Sequence, residues 1–195
     1  MKKINELLRH LKRGQVYRRA DLEPWTNAVD RHLGVLLERG VLEKISQGLY
    51  YYPKESVFGT VPPDEETLVQ SFLKDDDFLV TTPNAYNALG VGTTQLYNKQ
   101  VVYNHKRHGE FQLGGRTFFF HLKPRFPKKL TPEFLLVDLV NNLDALAEDT
   151  QEVLSKAKAK AQSMDPKKMQ QAVKAYGGVK AKKVFASIAE SKLNL

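Results

Sequence analysis

The sequence predicts an α+β fold: an N-terminal winged helix-turn-helix, then a small mixed α/β domain with a C-terminal helical segment. Three observations carry this reading. Residues 25–52, WTNAVDRHLGVLLERGVLEKISQGLYYY, read as a helix followed at once by a tight hairpin. The residues before them supply two more helices and a short extended piece, in winged-helix order. Past Pro63, strand patterns give way at Pro132 to helical patterns that run to the C-terminus.

Each element has a local cause. Residues 3–12 place Ile4, Leu7, Leu8 and Leu11 on one face, and Gly14 breaks that helix. Gln15-Val16-Tyr17 is extended, and Arg18–Glu23 is a short helix stopped by Pro24. Thr26 or Asn27 caps the third helix, because a short side-chain oxygen there accepts a first-turn N–H. Val29, Leu33, Leu36 and Leu37 form its inner face, and Gly40 suits the left-handed residue beyond its end. Val41–Ile45 and Leu49–Tyr52 are the hairpin strands around the turn Ser46-Gln47-Gly48.

Three prolines and a glycine within Pro53–Pro63 mark residues 54–63 as a linker, between a domain at 1–53 and another at 64–195. The second domain opens with a helix from Asp64 to Leu73, whose acidic start favours the helix dipole. Phe78–Thr82 is a strand, Pro83–Gly90 a short helix and Leu96–Tyr103 a strand. Glu110–Leu113 and Arg116–Leu122 form a hairpin around Gly114-Gly115, with Phe118, Phe120 and Leu122 on one buried face. From Pro132 to Leu146 the pattern is so apolar that the helix must be largely buried. Helices at 152–163, 167–176 and 180–191 complete the chain.

Composition bounds the function. The formal net charge is +8, which favours a polyanionic or acidic partner. Cysteine is absent, so disulfides and thiolate chemistry are excluded. The charged N-terminus has no signal-peptide core, and no run suits a bilayer, so a cytoplasmic protein without membrane contact is expected. No phosphate loop, dinucleotide fingerprint or nucleophile elbow occurs, so neither an enzyme nor a cofactor is expected. Asp75-Asp76-Asp77 reads as a solvated turn, and His105 with His108 as part of a basic loop, so no metal is expected.

Double-stranded DNA is the partner that the N-terminal pattern suggests. Thr26, Asn27, Asp30 and Arg31 lie on the polar face of the third helix, where such types reach base edges. Lys44, Ser46 and Gln47 at the hairpin, with Arg18 and Arg19 before the short helix, suit phosphates. In the C-terminal helices, Lys156, Lys158, Lys160, Lys167, Lys168, Lys180, Lys182 and Lys183 form a basic surface for an acidic protein or for DNA.

Two segments also carry a family resemblance. Arg39–Ile45 with Gly48–Lys54 resembles the G-x-L-x-R-x-x-x-G-x-Y-x-x-P wing of the abortive-infection AbiE-type antitoxins of type IV toxin–antitoxin systems. Thr82–Gly90 with Thr93-Thr94-Gln95 resembles that family's S-G-x-x-A-A-x-x-L-G-L-S-T-Q segment. Lys44 stands where the family usually has Arg, and Asn84 where it often has Gly. The resemblance implies an antitoxin in phage defence. Its N-terminal domain would bind its own operon promoter as an autorepressor, and its C-terminal domain would counter a nucleotidyltransferase-like toxin. The alternative is a winged-helix transcriptional regulator whose C-terminal domain senses a small molecule.

Overall fold

Amphipathic spacing sets the first element. Ile4, Leu7, Leu8 and Leu11 pack from the end and inner side of helix α1 (Lys2–His10), and Leu7 is fully buried. The structure, a computed structural model, describes residues 2–186. Gly14, at φ +84°, admits the turn into strand β1 (Val16–Arg18). Helix α2 (Arg19–Leu22) is a single turn, followed by a 3-10 turn at Glu23–Trp25. Helix α3 (Val29–Glu38) buries Val29, Leu33 and Leu36 in one cluster with Leu7, Leu11, Leu22 and Leu42. Each such side chain contributes roughly 1.5–3 kcal/mol by leaving water. Strands β2 (Glu43–Ser46) and β3 (Leu49–Tyr51) follow, and β3 is central in an antiparallel sheet ordered β1-β3-β2.

The expected linker at 54–63 is instead largely a hairpin. Strands β4 (Lys54–Ser56) and β5 (Gly59–Val61) pair antiparallel. Ser56 Oγ closes the turn, accepting from the Phe58 N–H and donating to the Gly59 carbonyl. Tyr51 Oη donates to the Val61 carbonyl at 2.6 Å and ties the hairpin to β3. The prolines lie outside this ladder, at positions 53, 62 and 63, so they do not interrupt it. Val57 and Phe58, at the tip, are almost fully exposed.

Helix α4 (Glu65–Leu73) starts where Asp64 Oδ1 accepts from the Thr67 N–H at 2.8 Å, and ends at Lys74 in the left-handed conformation, φ +55°. Strands β8 (Gly109–Leu113) and β9 (Arg116–Leu122) turn through Gly114-Gly115, both at positive φ. Phe118 and Phe120 are buried, and Phe72 of α4 packs on Phe111 and Phe120. Leu122, expected on the same buried face, is 52% exposed. It lies beyond Phe120, the last β9 residue paired with β8. All these elements, up to Asp76 and again from Lys106 to Phe120, form one compact unit, which reaches well past the expected boundary at residue 53.

The second unit holds Asp77–His105 and the chain from His121 onward. Strand β6 (Phe78–Thr81) pairs antiparallel with β7 (Gln100–Asn104), which sets Thr81 opposite Val101. The intervening short helix is a 3-10 helix, Pro83–Leu89, capped by Thr82 and ended by Gly90 at φ +67°. The strand expected from Leu96 starts only at Gln100. Before it, the Tyr97 backbone bonds in both directions to the Asn84 side chain, at 2.7 and 2.8 Å, in place of a ladder. Helix α5 (Pro132–Asn142) starts at a Thr131 cap and buries every residue from Phe134 to Val140. Helices α6 (Thr150–Ser163), α7 (Pro166–Tyr176) and α8 (Val179–Val184) pack around it through Ala157, Ala161, Met169, Ala172 and Ala181. The rest of the helix expected to Ser191, from residue 187 on, lies outside the described residues.

The fold is therefore mixed α+β. Among the described residues, no helix is long and apolar enough to cross a membrane.

Candidate nucleic-acid interface

The first turn of α3 separates the predicted reading residues into two groups. Asn27, Asp30 and Arg31 are exposed and border an open surface depression. Thr26 is buried instead. Its Oγ1 lies 2.8 Å from His32 Nδ1 and accepts from the Ala28 N–H at 3.2 Å. Helix α3 begins one residue past Ala28, so neither Thr26 nor Asn27 is its cap residue. Thr26 locks the entry to the helix and does not present its hydroxyl to a base. Burial, followed by the charges of Arg31 and Lys3, holds the His32 imidazole below its usual range.

Both predicted phosphate-binding arginines are engaged by carboxylates. Arg18 pairs with Asp21 at 2.8 Å, and the Arg18 backbone N–H also donates to Asp21. Burial pushes the Asp21 carboxyl up, but these bonds to Arg18 outweigh it and hold the carboxyl below its usual range. Arg19 grips Asp30 with two parallel bonds, at 2.7 and 2.8 Å, and reaches Glu23 at 2.6 Å. The planar guanidinium fork matches a carboxylate as well as it matches a phosphate. The hydrogen bonds from Arg19 hold the Asp30 carboxyl low, so Asp30 is a partner of α2 and not a free base reader. Through these bonds Arg19 links α2 to the first turn of α3.

The hairpin turn is joined to the same region by backbone. The Arg19 N–H donates to the Gly48 carbonyl at 2.9 Å. Lys44 and Gln47 are exposed and Ser46 is half-buried, with Ile45 bulged between the paired residues Lys44 and Ser46. A cavity of about 320 Å³ opens beside this turn, lined by Arg18, Arg19, Gln47, Phe72, Lys74 and Arg107 among others. Lys74 and Arg107 were not singled out by the sequence reading. The Arg107 guanidinium stacks on the Phe72 ring at 4.6 Å and lines the same cavity as Arg18 and Arg19. The readable signal was the basic run Asn104–Gly109, which looked like a bland exposed loop.

The C-terminal lysines differ in their surroundings. Lys156 pairs with Glu152, and Lys180 with Asp144. Lys156 and Lys158 flank the buried Val153–Ala157–Ala161 stripe of α6 on opposite sides, as a spacing of two residues requires. Lys160 is half-buried, whereas Lys167, Lys168, Lys182 and Lys183 are exposed.

A second polar site lies inside the α5 unit, and the sequence reading missed it. Asp138, in the middle of α5, is 1% exposed. Its Oδ2 accepts from Tyr86 Oη at 2.8 Å and Tyr103 Oη at 2.7 Å, and its Oδ1 accepts from Lys123 Nζ at 2.9 Å. Lys123 Nζ also sits 3.8 Å from the centre of the Tyr103 ring. Asn142 Nδ2 donates to the Asp138 carbonyl and lies 3.3 Å from both phenol oxygens. Burial, then the Asp138 charge, pushes both phenols far above their usual range. They stay protonated and serve as donors.

Comparison with known proteins adds the following. The fold resembles the crystal structure of the RV2827C protein from Mycobacterium tuberculosis, with a TM-score of 0.58 and 14% identity over 95% of this chain and 74% of that one. Comparison with curated proteins returned no match. A model of a family of unknown function, DUF6088, matches residues 3–173, and the chain belongs to that family.

Proposed function

We propose that this protein is a DNA-binding antitoxin and autorepressor. Its N-terminal winged helix holds duplex DNA of its own promoter, and its second unit counters a nucleotidyltransferase-like toxin. One observation carries the DNA half. Asn27 stands exposed just before α3 and Arg31 in its first turn, and the Arg19–Asp30 and Arg19–Gly48 bonds tie both α3 and the hairpin turn to the start of α2. Side chains at the start of a helix can enter a major groove, while Lys44 and Gln47 at the turn meet the flanking backbone. Lys74 and Arg107 add charge beside that turn. The element order α1-β1-α2-α3-β2-β3 supports the winged-helix reading.

The toxin half is supported by the AbiE-type resemblance of residues 39–54 and 82–95 and by the exposed lysines of α7 and α8. Co-expression with a nucleotidyltransferase-like toxin encoded beside it tests this half. The intact chain is expected to restore growth and co-purify with the toxin. Replacing Lys167, Lys168, Lys182 and Lys183 by Glu should abolish rescue and leave promoter binding unchanged. Loss of promoter binding with rescue retained would place those lysines on DNA.

A further inference from the structure

The β4–β5 hairpin is an arm with an apolar tip. Every residue from 54 to 61 is exposed, and Val57 and Phe58 at the tip are 93% and 97% exposed. The root of the arm is fastened at three points. Arg13 Nη1 donates to the Pro53 carbonyl at 3.0 Å, Tyr51 Oη to the Val61 carbonyl at 2.6 Å, and Arg116 Nη2 to the Pro63 carbonyl at 2.7 Å. Pro53 and Pro63 are themselves buried. At the tip, the two Ser56 hydrogen bonds fix the backbone of Phe58. An aromatic side chain carried on a backbone already in place loses little freedom on docking.

The charge around the root selects the partner. Lys12, Arg13 and Lys54 are exposed, and among the described residues none of them is in an ion pair. Arg13 bonds a neutral carbonyl and stacks on Tyr52 at 4.8 Å, so its charge stays uncompensated. Glu55 is the one acid of the arm, and its carboxylate accepts from Thr60 Oγ1. Cations at the root of an apolar tip match a groove between two phosphate backbones. Two apolar side chains are little to hold a bilayer, where binding scales with the apolar area buried. The end of α1 also joins the arm to the reading helix. The Gly14 N–H donates to the Tyr52 carbonyl at 2.7 Å, His10 stacks on Trp25 at 5.1 Å, and Trp25 stands two residues before Asn27.

We infer that this arm is a minor-groove wedge. With α3 in a major groove, Val57 and Phe58 enter the adjoining minor groove, and Lys12, Arg13 and Lys54 meet its phosphates. A minor groove follows a major groove by half a turn of duplex, roughly 17 Å, and three residues of ribbon project roughly 10 Å. Phe is among the side chains that part a base step from the minor groove. The inference rests on the proposed duplex binding and adds a second groove to it.

The full chain is titrated with the duplex upstream of its own coding sequence, and with copies of it carrying 2-aminopurine at successive A·T steps. The unaltered chain should brighten 2-aminopurine at one step, beyond the bases whose discrimination depends on Asn27 and Arg31. Phe58→Ala should abolish the brightening and weaken binding about tenfold, the worth of a lost base–aromatic contact. Phe58→Leu should keep most of both, because an aliphatic wedge also parts a step. Lys12→Ala should reduce the salt slope by about one phosphate, and Glu55→Gln should tighten binding. The Phe58 side chain is 97% exposed, so its variants should melt with the unaltered chain. If the unaltered chain fails to bind this duplex, the proposed function and the wedge fall together. If it binds through Asn27 and Arg31 while Phe58→Ala changes neither affinity nor fluorescence, the wedge alone is overturned. Sedimentation with phosphatidylglycerol vesicles that depends on Phe58, with duplex binding unaffected by the substitution, would assign the tip to a lipid surface and overturn it as well.

Discussion

Replacing Lys123 by Met tests the physics of the second unit most sharply. The substitution keeps much of the stem and removes the charge. Asp138, 1% exposed, would keep the Tyr86 and Tyr103 hydroxyls and lose the only cation among its three side-chain donors. A buried carboxylate stripped of its partner costs roughly 3–5 kcal/mol. Two neutral donors remain, and hydrogen bonds to a charged group are worth about 1.5–3 kcal/mol each, so the lower end of the range, near 3 kcal/mol, is expected. That is a large share of a typical domain stability of about 5–15 kcal/mol. Adding Asp138→Asn should recover most of the loss, because removing both charges avoids the orphaned carboxylate. Urea unfolding followed by far-ultraviolet circular dichroism gives all corners of the double-mutant cycle. A Lys123→Met loss under about 1 kcal/mol, or a double variant no better than the single one, would refute the coupling of half-buried Lys123 to the buried Asp138 carboxylate.

Other outcomes follow from the same contacts. Thr26→Val should cost about 1–2 kcal/mol in stability by breaking the bonds to His32 and Ala28, whereas exposed Asn27→Ala should stay within about 0.5 kcal/mol; thermal melts of both variants check this. His32 is held low in the folded state, so the unfolded chain takes up a proton first as pH falls through about 6.5. Its contribution is complete above that pH and is lost on acidification; His32→Gln should flatten this limb of a stability profile. The phenols of Tyr86 and Tyr103 are held high, so above about pH 10 only the unfolded chain ionises them. Stability should then fall by about 1.4 kcal/mol per pH unit for each phenol, and Tyr86→Phe with Tyr103→Phe should remove that slope relative to the unaltered chain.

What the sequence reveals here is local, and what it hides is mostly not. The inner faces of α1 and α3 and the glycine stops at Gly14, Gly40 and Gly90 depend on neighbours a few residues away, so periodicity exposes them. Arg19 looked free because its partner Asp30 stands 11 residues off, across a turn. Thr26 looked like a cap because its hydroxyl chemistry suits one, and only packing around His32 turns it inward. The hairpin at 54–61 was masked by prolines that frame it without entering it. The Asp138 site joins the helical pair 138 and 142 to positions 86, 103 and 123, and no spacing rule connects those three to the pair. One signal was there to read: a single Asp inside the apolar run Phe134–Val140 is expensive unless it is paired.

The central claim is that α3 and the adjoining turn read and hold duplex DNA. Titrating the full chain against the duplex upstream of its own coding sequence, and against a scrambled duplex, over a series of salt concentrations tests it directly. The expected result is a steep fall of log affinity with log salt, about 0.9 for each phosphate neutralised. Asn27→Ala and Arg31→Ala should narrow the gap between the two duplexes by about 1–3 kcal/mol. Lys44→Ala should weaken both duplexes alike and reduce the salt slope by about one phosphate. A flat salt response, or three variants that lose affinity equally for both duplexes, would contradict it.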